Sequence, residues 1–209
     1  MYEQLKLKWC FVLFLAWASN ASASIYFQLY DNAFNVSDWS SYIDKLHSKD
    51  DVKAFCQRSI WRSCQIFEMD HEHLFVRGRP REPIALWGND YIDEGGHLFY
   101  ARGLGVSQPL ILVEGGVEHL DDVRALLDVV RQKGMVQRIT VSKYGAYMLE
   151  MACGSFQLGR KHLVKRTKTA MRLYPQLRKQ HPNQTFHADL RYDGRFALTV
   201  SDSKDANMG

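Results

Sequence analysis

The chain lacks the short signatures that mark most catalytic, redox and nucleotide-binding folds. Its four cysteines show no C-x-x-C spacing, which removes thioredoxin-type redox motifs and the common zinc ribbons. No phosphate-cradling P-loop and no dinucleotide fingerprint occurs. Gly154-Ser155-Phe156-Gln157-Leu158-Gly159 is not a G-x-S-x-G nucleophile elbow. There is no repeat and no low-complexity block. Charge of one sign is also scarce: the net of +4 over 209 residues is too small to demand nucleic acid. Neither a cofactor nor a small-molecule substrate is expected, and catalysis is not.

What remains of possible chemistry is thin. His71-Glu72-His73 places two imidazoles at i and i+2, one face of a strand. Two ligands make no metal site, and a solvated hairpin tip is expected. Cys153 is flanked by Met151, Ala152 and Phe156, the surroundings of a core thiol. Cys10 lies in the apolar N-terminus, leaving Cys56, Cys64 and Cys153. An odd number cannot close a complete disulfide framework. Cys56 and Cys64 could bridge in an oxidising compartment, but three buried thiols are expected.

The N-terminus carries the one long apolar run. Lys6 and Lys8 precede Trp9–Ala18, followed by Ser19-Asn20-Ala21-Ser22-Ala23-Ser24 and Ile25–Tyr30. A basic start, a short apolar core and Ala21-x-Ala23 fit a cleavable signal peptide. A signal-anchor from Trp9 to Phe27 with aromatic residues at both ends fits equally. Either way the rest is exported.

Short strands alternate with two good helices farther on, the pattern of an α+β domain. Ser48 caps a helix over Lys49–Ser59, and Ser63–Glu68 and Glu72–Gly78 read as strands. Tyr91-Ile92 and His97–Tyr100 form a hairpin around Asp93-Glu94-Gly95-Gly96. Leu120–Gly134 is the clearest helix, with Val123, Leu126, Leu127 and Val130 on one face. A second runs over Lys161–Gln180, with Leu163, Val164, Thr167, Met171, Tyr174 and Leu177 inside and a basic, solvated outer face.

The most informative stretch is Phe186–Val200. Phe186, Ala188 and Leu190 alternate with polar residues, as do Phe196, Leu198 and Val200. A two-residue Asp193-Gly194 loop would put the second set on the wrong face. A three-residue loop, Tyr192-Asp193-Gly194 with Gly194 left-handed, pairs Arg191 with Arg195 and sets Phe186 opposite Val200. The facing arginines are the weak point of that register. Arg195–Val200 is then the last strand. Whether its outer edge is free or covered stays open on pattern alone.

Several ordered motifs give a resemblance. Val52–Trp61 resembles a helix ending before a proline-tryptophan pair, with Ile60 in place of the proline. Glu82-Pro83-Ile84-Ala85-Leu86-Trp87-Gly88 is similar to E-x-x-P-[VI]-A-R-W, with Leu86 in place of arginine. His73–Val76, Tyr91–Phe99, Leu158-Gly159-Arg160 and Leu173-Tyr174-Pro175-Gln176-Leu177 follow in order. Asp189-Leu190-Arg191-Tyr192-Asp193-Gly194 matches D-L-R-Y-x-x-G. Over roughly 50–200 the chain resembles the FtsQ/DivIB family of bacterial cell division proteins. The resemblance implies a single-pass inner-membrane protein with no catalytic activity. It has a cytoplasmic start (1–8), a transmembrane helix (9–30), a juxtamembrane linker and partial POTRA domain (31–86), a β-domain of antiparallel strands with two helices (87–200), and a polar tail (201–209). Phe34 to Trp87 is shorter than in the family, so the first strand and helix of the POTRA domain are expected to be missing. The implied partners are FtsB- and FtsL-type membrane proteins and the lipid of the inner membrane. The implied interface falls on Tyr192, Gly194, Arg195, Phe196, Ala197, Leu198, Thr199 and Val200, with Arg191 nearby and Lys143 as a basic residue on a neighbouring strand. The other class kept in view is a soluble secreted hydrolase or metal-binding protein released by cleavage near Ala23.

Overall fold

Residue spacing sets the elements, and the connections between them decide how the strands pair. The computed structural model describes residues 24–202 except 30–33, 35–37, 40–42, 44, 47, 69–72, 102–103, 107, 132–133 and 193. Among the described residues the fold is α+β with mixed sheets and three α-helical elements. The chain divides into two units. One holds the residues up to Pro83 together with Asp90–Pro109; the other holds Ile84–Asn89 and everything from Leu110 on.

In the first unit, helix α1 (Lys49–Cys56) starts where Ser48 caps it: the hydroxyl accepts from the Asp51 N–H at 3.1 Å. It ends three residues earlier than its sequence pattern suggests. Strands β1 (Ser24–Leu29), β2 (Trp61–Glu68) and β3 (His73–Pro80) form a sheet in the order β1–β3–β2. β1 runs parallel to β3 and β2 antiparallel to it. β1 lies within the span, 9–30, that is expected to be transmembrane. Its aromatic, apolar composition reads as the end of a membrane span, yet Phe27 and Leu29 are buried with Gln28 between them, a strand's period of two. Tyr30 and the rest of the expected span from Trp9 lie outside the described residues. Among the described residues no helix is long and apolar enough to cross a membrane.

Trp61 centres the core of this unit, stacked on Trp39 at 5.2 Å and edge-on to Phe55 at 5.1 Å. Its indole N–H donates to the Phe55 carbonyl at 2.8 Å, which satisfies the one polar group that burial would orphan. Gly78 is needed beneath it: a Cβ there would stand 2.6 Å from the Trp61 ring. Cys56, at the end of α1, and Cys64, on β2, are joined in a disulfide. The three free thiols are thus reduced to one. The turn after α1 brings the two Cα atoms to 5.2 Å, within bridging range. β5 (Asp90–Asp93) and β6 (Leu98–Phe99) form the expected hairpin, with Tyr91 opposite Phe99.

In the second unit the strands are β4 (Pro83–Trp87), β7 (Ile111–Glu114), β8 (Val136–Val141), β9 (Tyr147–Met151), β10 (Gly154–Gly159), β11 (Gln184–Asp189) and β12 (Ala197–Asp202). They lie in the order β12–β11–β10–β9–β8–β7–β4. The sheet is not the antiparallel one expected. β4–β7, β7–β8 and β10–β11 are parallel; helix α2 (Leu120–Val130) connects β7 to β8 and α3 (Leu163–Gln180) connects β10 to β11. A helical crossover returns the chain to the same end of the sheet, so the next strand runs the same way.

α2 and α3 pack against each other, and α3 against β10. α3 buries Thr167, Ala170, Met171, Tyr174 and Leu177. Ala170 takes the place that the pattern gives to Val164, which is exposed. The buried strand residues include Ile139, Leu149, Phe156 and Ala188, which lie in one row across β8, β9, β10 and β11. The row next to it (Arg138, Glu150, Ser155, His187 and Thr199) is polar and faces the other way.

Candidate partner-binding site

The register of the last hairpin is the one that parity selects. Phe186 pairs with Val200, Ala188 with Leu198 and Asp189 with Ala197. The strand itself is displaced, however. It begins at Ala197 rather than Arg195 and continues through Ser201 and Asp202. The pairing opens where Arg191 would face Arg195. Arg191 turns instead to Asp189, with Nη2 2.7 Å from Oδ2 and Nε 3.0 Å from both carboxylate oxygens. The Arg191 carbonyl accepts from Arg166 Nη2 at 2.6 Å, and the Leu190 N–H donates to the Gln157 carbonyl of β10. Like charges part, and Arg191 finds its partner in Asp189.

Gly194 has φ 73°, the left-handed turn position expected of it, with nothing within 4 Å of where a Cβ would stand. Asp193 lies outside the described residues. Tyr192 projects from the connection, 52% exposed.

The apolar face of β12 is uncovered. Phe186, Ala188 and Leu190 are buried, whereas Phe196 is 40% and Leu198 37% exposed, with Val200 half-buried. The expected continuous buried face stops at β11. Among the described residues β12 pairs with β11 alone, and no described strand lies along its other edge.

Two grooves flank this edge. One, of about 330 Å³, lies between α3 and the connection into β12, with Leu173, Leu190 and Phe196 as apolar lining and Lys165, Arg172 and Arg195 as cations. Tyr192 and Gly194 also line it. The second, of about 700 Å³, opens on the polar face and gathers Arg160, Lys161, Arg166 and Arg191 with Tyr144 and Gln157. Arg191 and Tyr192 thus serve opposite grooves from adjacent positions. Arg191 holds the Asp189 carboxyl below its ordinary range, mainly by its side-chain hydrogen bonds.

The expected site residues are therefore mostly brought together: Arg191, Tyr192, Gly194, Arg195 and Phe196 at the connection, and Ala197, Leu198, Thr199 and Val200 along the edge. Lys143 is not. It sits in the β8–β9 turn rather than on a strand, with its ammonium 5.1 Å from the Tyr144 ring centre, outside both grooves. Arg160, Lys161 and Arg166 supply the cations instead. The sequence marks all three as part of the second helix's basic, solvated outer face.

The possible catalytic and metal residues stay apart. Cys153 is half-buried beside Tyr174, whose phenol is raised first by burial and then by that thiol. His71 and Glu72 lie outside the described residues, and His73 begins β3. Among the described residues no group of three metal-ligating side chains occurs. No protein-family model matches the chain, and no curated protein matches it.

Proposed function

We propose that this chain is a non-enzymatic, membrane-anchored scaffold of the bacterial division machinery, of the FtsQ/DivIB type. It holds partner proteins of the FtsB and FtsL type on the free edge of β12 during septum formation. The observation that carries the reading is the uncovered edge, with Phe196 and Leu198 exposed beside Tyr192. An added strand would gain main-chain hydrogen bonds along β12 and pockets for alternate side chains.

Two further features support the reading. The parallel pairing of β1 with β3, with α1 and β2 between them, supports a POTRA-like first unit. The Cys56–Cys64 disulfide supports an exported, oxidising location for that unit, such as the periplasm. The N-terminal apolar run then serves as the inner-membrane anchor, with its lysines cytoplasmic.

The test is binding of the full chain, extracted from membranes, to an FtsB/FtsL-type pair. Adjacent strand residues direct their N–H groups to opposite sides, so Leu198→Pro and Thr199→Pro remove one edge donor and one ladder donor between them. The edge proline should abolish binding with its melting curve unchanged, and the other should damage both. Wild-type binding by both variants would remove the mechanism. Recovery of a soluble chain beginning near Ser24 would favour the secreted alternative.

A further inference from the structure

We infer that the outer face of α3 is a second contact surface, one that rests on anionic lipid headgroups. This goes beyond the partner edge and does not depend on it, though Lys165 and Arg172 also line the first groove beside β12. Lys165, Lys168, Arg172 and Lys179 recur at steps of three, four and seven residues, which stacks them on one side of α3. The helix is 18 residues long, about 27 Å at 1.5 Å per residue. It contains no acidic residue. All four cations are exposed, and none forms an ion pair with a described residue. The opposite side is fixed in the core by Ala170, Met171, Tyr174 and Leu177, so the stripe cannot roll inward.

The face between the cations decides what occupies it. The exposed Val164 borders it, and between the cations it carries Thr169, Pro175 and Gln176 but no aromatic side chain. A protein partner draws most of its affinity from such anchors buried at the centre of the interface, and this face offers none. A phosphate-bearing membrane surface asks only for charge held flat over a few nanometres, and attracts each nearby Lys or Arg separately. The surface therefore fits an anionic bilayer better than a folded protein.

The experiment uses the full chain held in phosphatidylcholine nanodiscs and mixed with vesicles. The vesicles are either pure phosphatidylcholine or phosphatidylcholine doped with phosphatidylglycerol, and co-flotation is measured. Wild type should float with the doped vesicles only, and release as salt is raised through the screening range. Lys168→Gln with Lys179→Gln, both outside the two grooves beside β12, should weaken flotation by about fivefold per cation. This variant should keep partner binding, so failure here and failure of the edge reading separate. Arg62→Gln with Arg79→Gln, exposed cations of the first unit, should float like wild type. Equal loss in the two double variants, salt-insensitive flotation, or no preference for the doped vesicles would overturn the inference. Tighter capture by soluble polyglutamate than by vesicles would assign the face to an acidic protein segment and overturn it too.

Discussion

Arg191 closes a two-pronged ion pair on Asp189, two residues back in the chain, with Nη2 at 2.7 Å and Nε at 3.0 Å. The backbone N–H of Arg191 joins the same carboxylate at 2.9 Å. This pairing, more than the turn sequence, ends the hairpin ladder at Asp189 and Ala197 and throws Tyr192 outward. The shape of the candidate interface is thus set by one local charge choice.

Tyr192→Ala should separate binding from folding. The ring is 52% exposed and lines a groove whose floor includes Leu173 and Leu190. Its loss should weaken partner affinity by roughly 1–4 kcal/mol, the range of an aromatic hot spot. The melting midpoint should stay put. Calorimetric titration beside a thermal melt measures both, and unchanged affinity would demote Tyr192 to a wet turn residue.

Gly154→Ala should loosen the platform beneath that site. Gly154 pairs with Phe186 across β10 and β11, and a Cβ there would stand 2.5 Å from the Phe186 carbonyl oxygen. Backbone cannot give way as a flexible side chain does, so β11 must move and carry β12 with it. A loss of roughly 1–3 kcal/mol is expected from such overpacking. Urea unfolding reads it directly.

The disulfide should matter to one unit only. Cys56 and Cys64 enclose a short loop, and a bridge of that span contributes about 2–3 kcal/mol through the unfolded chain. Cys56→Ser, or dithiothreitol, should lower the stability of the first unit. Cys153→Ser should leave the sensitivity to dithiothreitol as it was. Equal melts with and without reductant would mean that the bridge carries no stability.

Acid should unfold the first unit through Asp93. Burial pushes this carboxyl upward, but hydrogen bonds from the His97 backbone, the Arg81 guanidinium at 2.6 Å and the His97 ring outweigh it. The net shift is downward. The folded carboxyl therefore holds its charge below the ordinary value of about 3.9, and its stabilisation is complete above that value. It is lost as pH falls through the lowered one. Stability followed from pH 6 downward should drop below about pH 4 in wild type and less steeply in Asp93→Asn. That variant should also be weaker at neutral pH, because Arg81 loses its charge partner. The loss should be smaller than the roughly 3–5 kcal/mol of a fully buried pair, since Arg81 is 23% exposed.

Periodicity made much of this legible. Parity alone selected the register of Phe186 against Val200, and Ser48 marked the start of α1 because a hydroxyl in that place can only be read as a cap. Parity does not say what covers a face. Phe196, Leu198 and Val200 share a side with Ala188, and nothing in their order tells that the sheet stops there. Ile25–Leu29 was obscured for a different reason. An aromatic, uncharged run suits lipid and the interior of a small sheet equally, and only its pairing with Leu74–Gly78 distinguishes them. The roles of Arg160 and Arg166 were hidden because they depend on the crossover that returns α3 to β11.

The division of the chain has a consequence for synthesis. The aromatic cluster of the first unit includes Phe99, Ala101 and Leu104, which follow β4 in sequence. β4 belongs to the second unit and finds its neighbour β7 only from Ile111 onward. A chain emerging from its N-terminus must therefore carry β4 past before β7 exists, while the first unit waits for Leu104. Neither unit can finish before the other has begun, so a deletion meant to remove one strips strands or core from both.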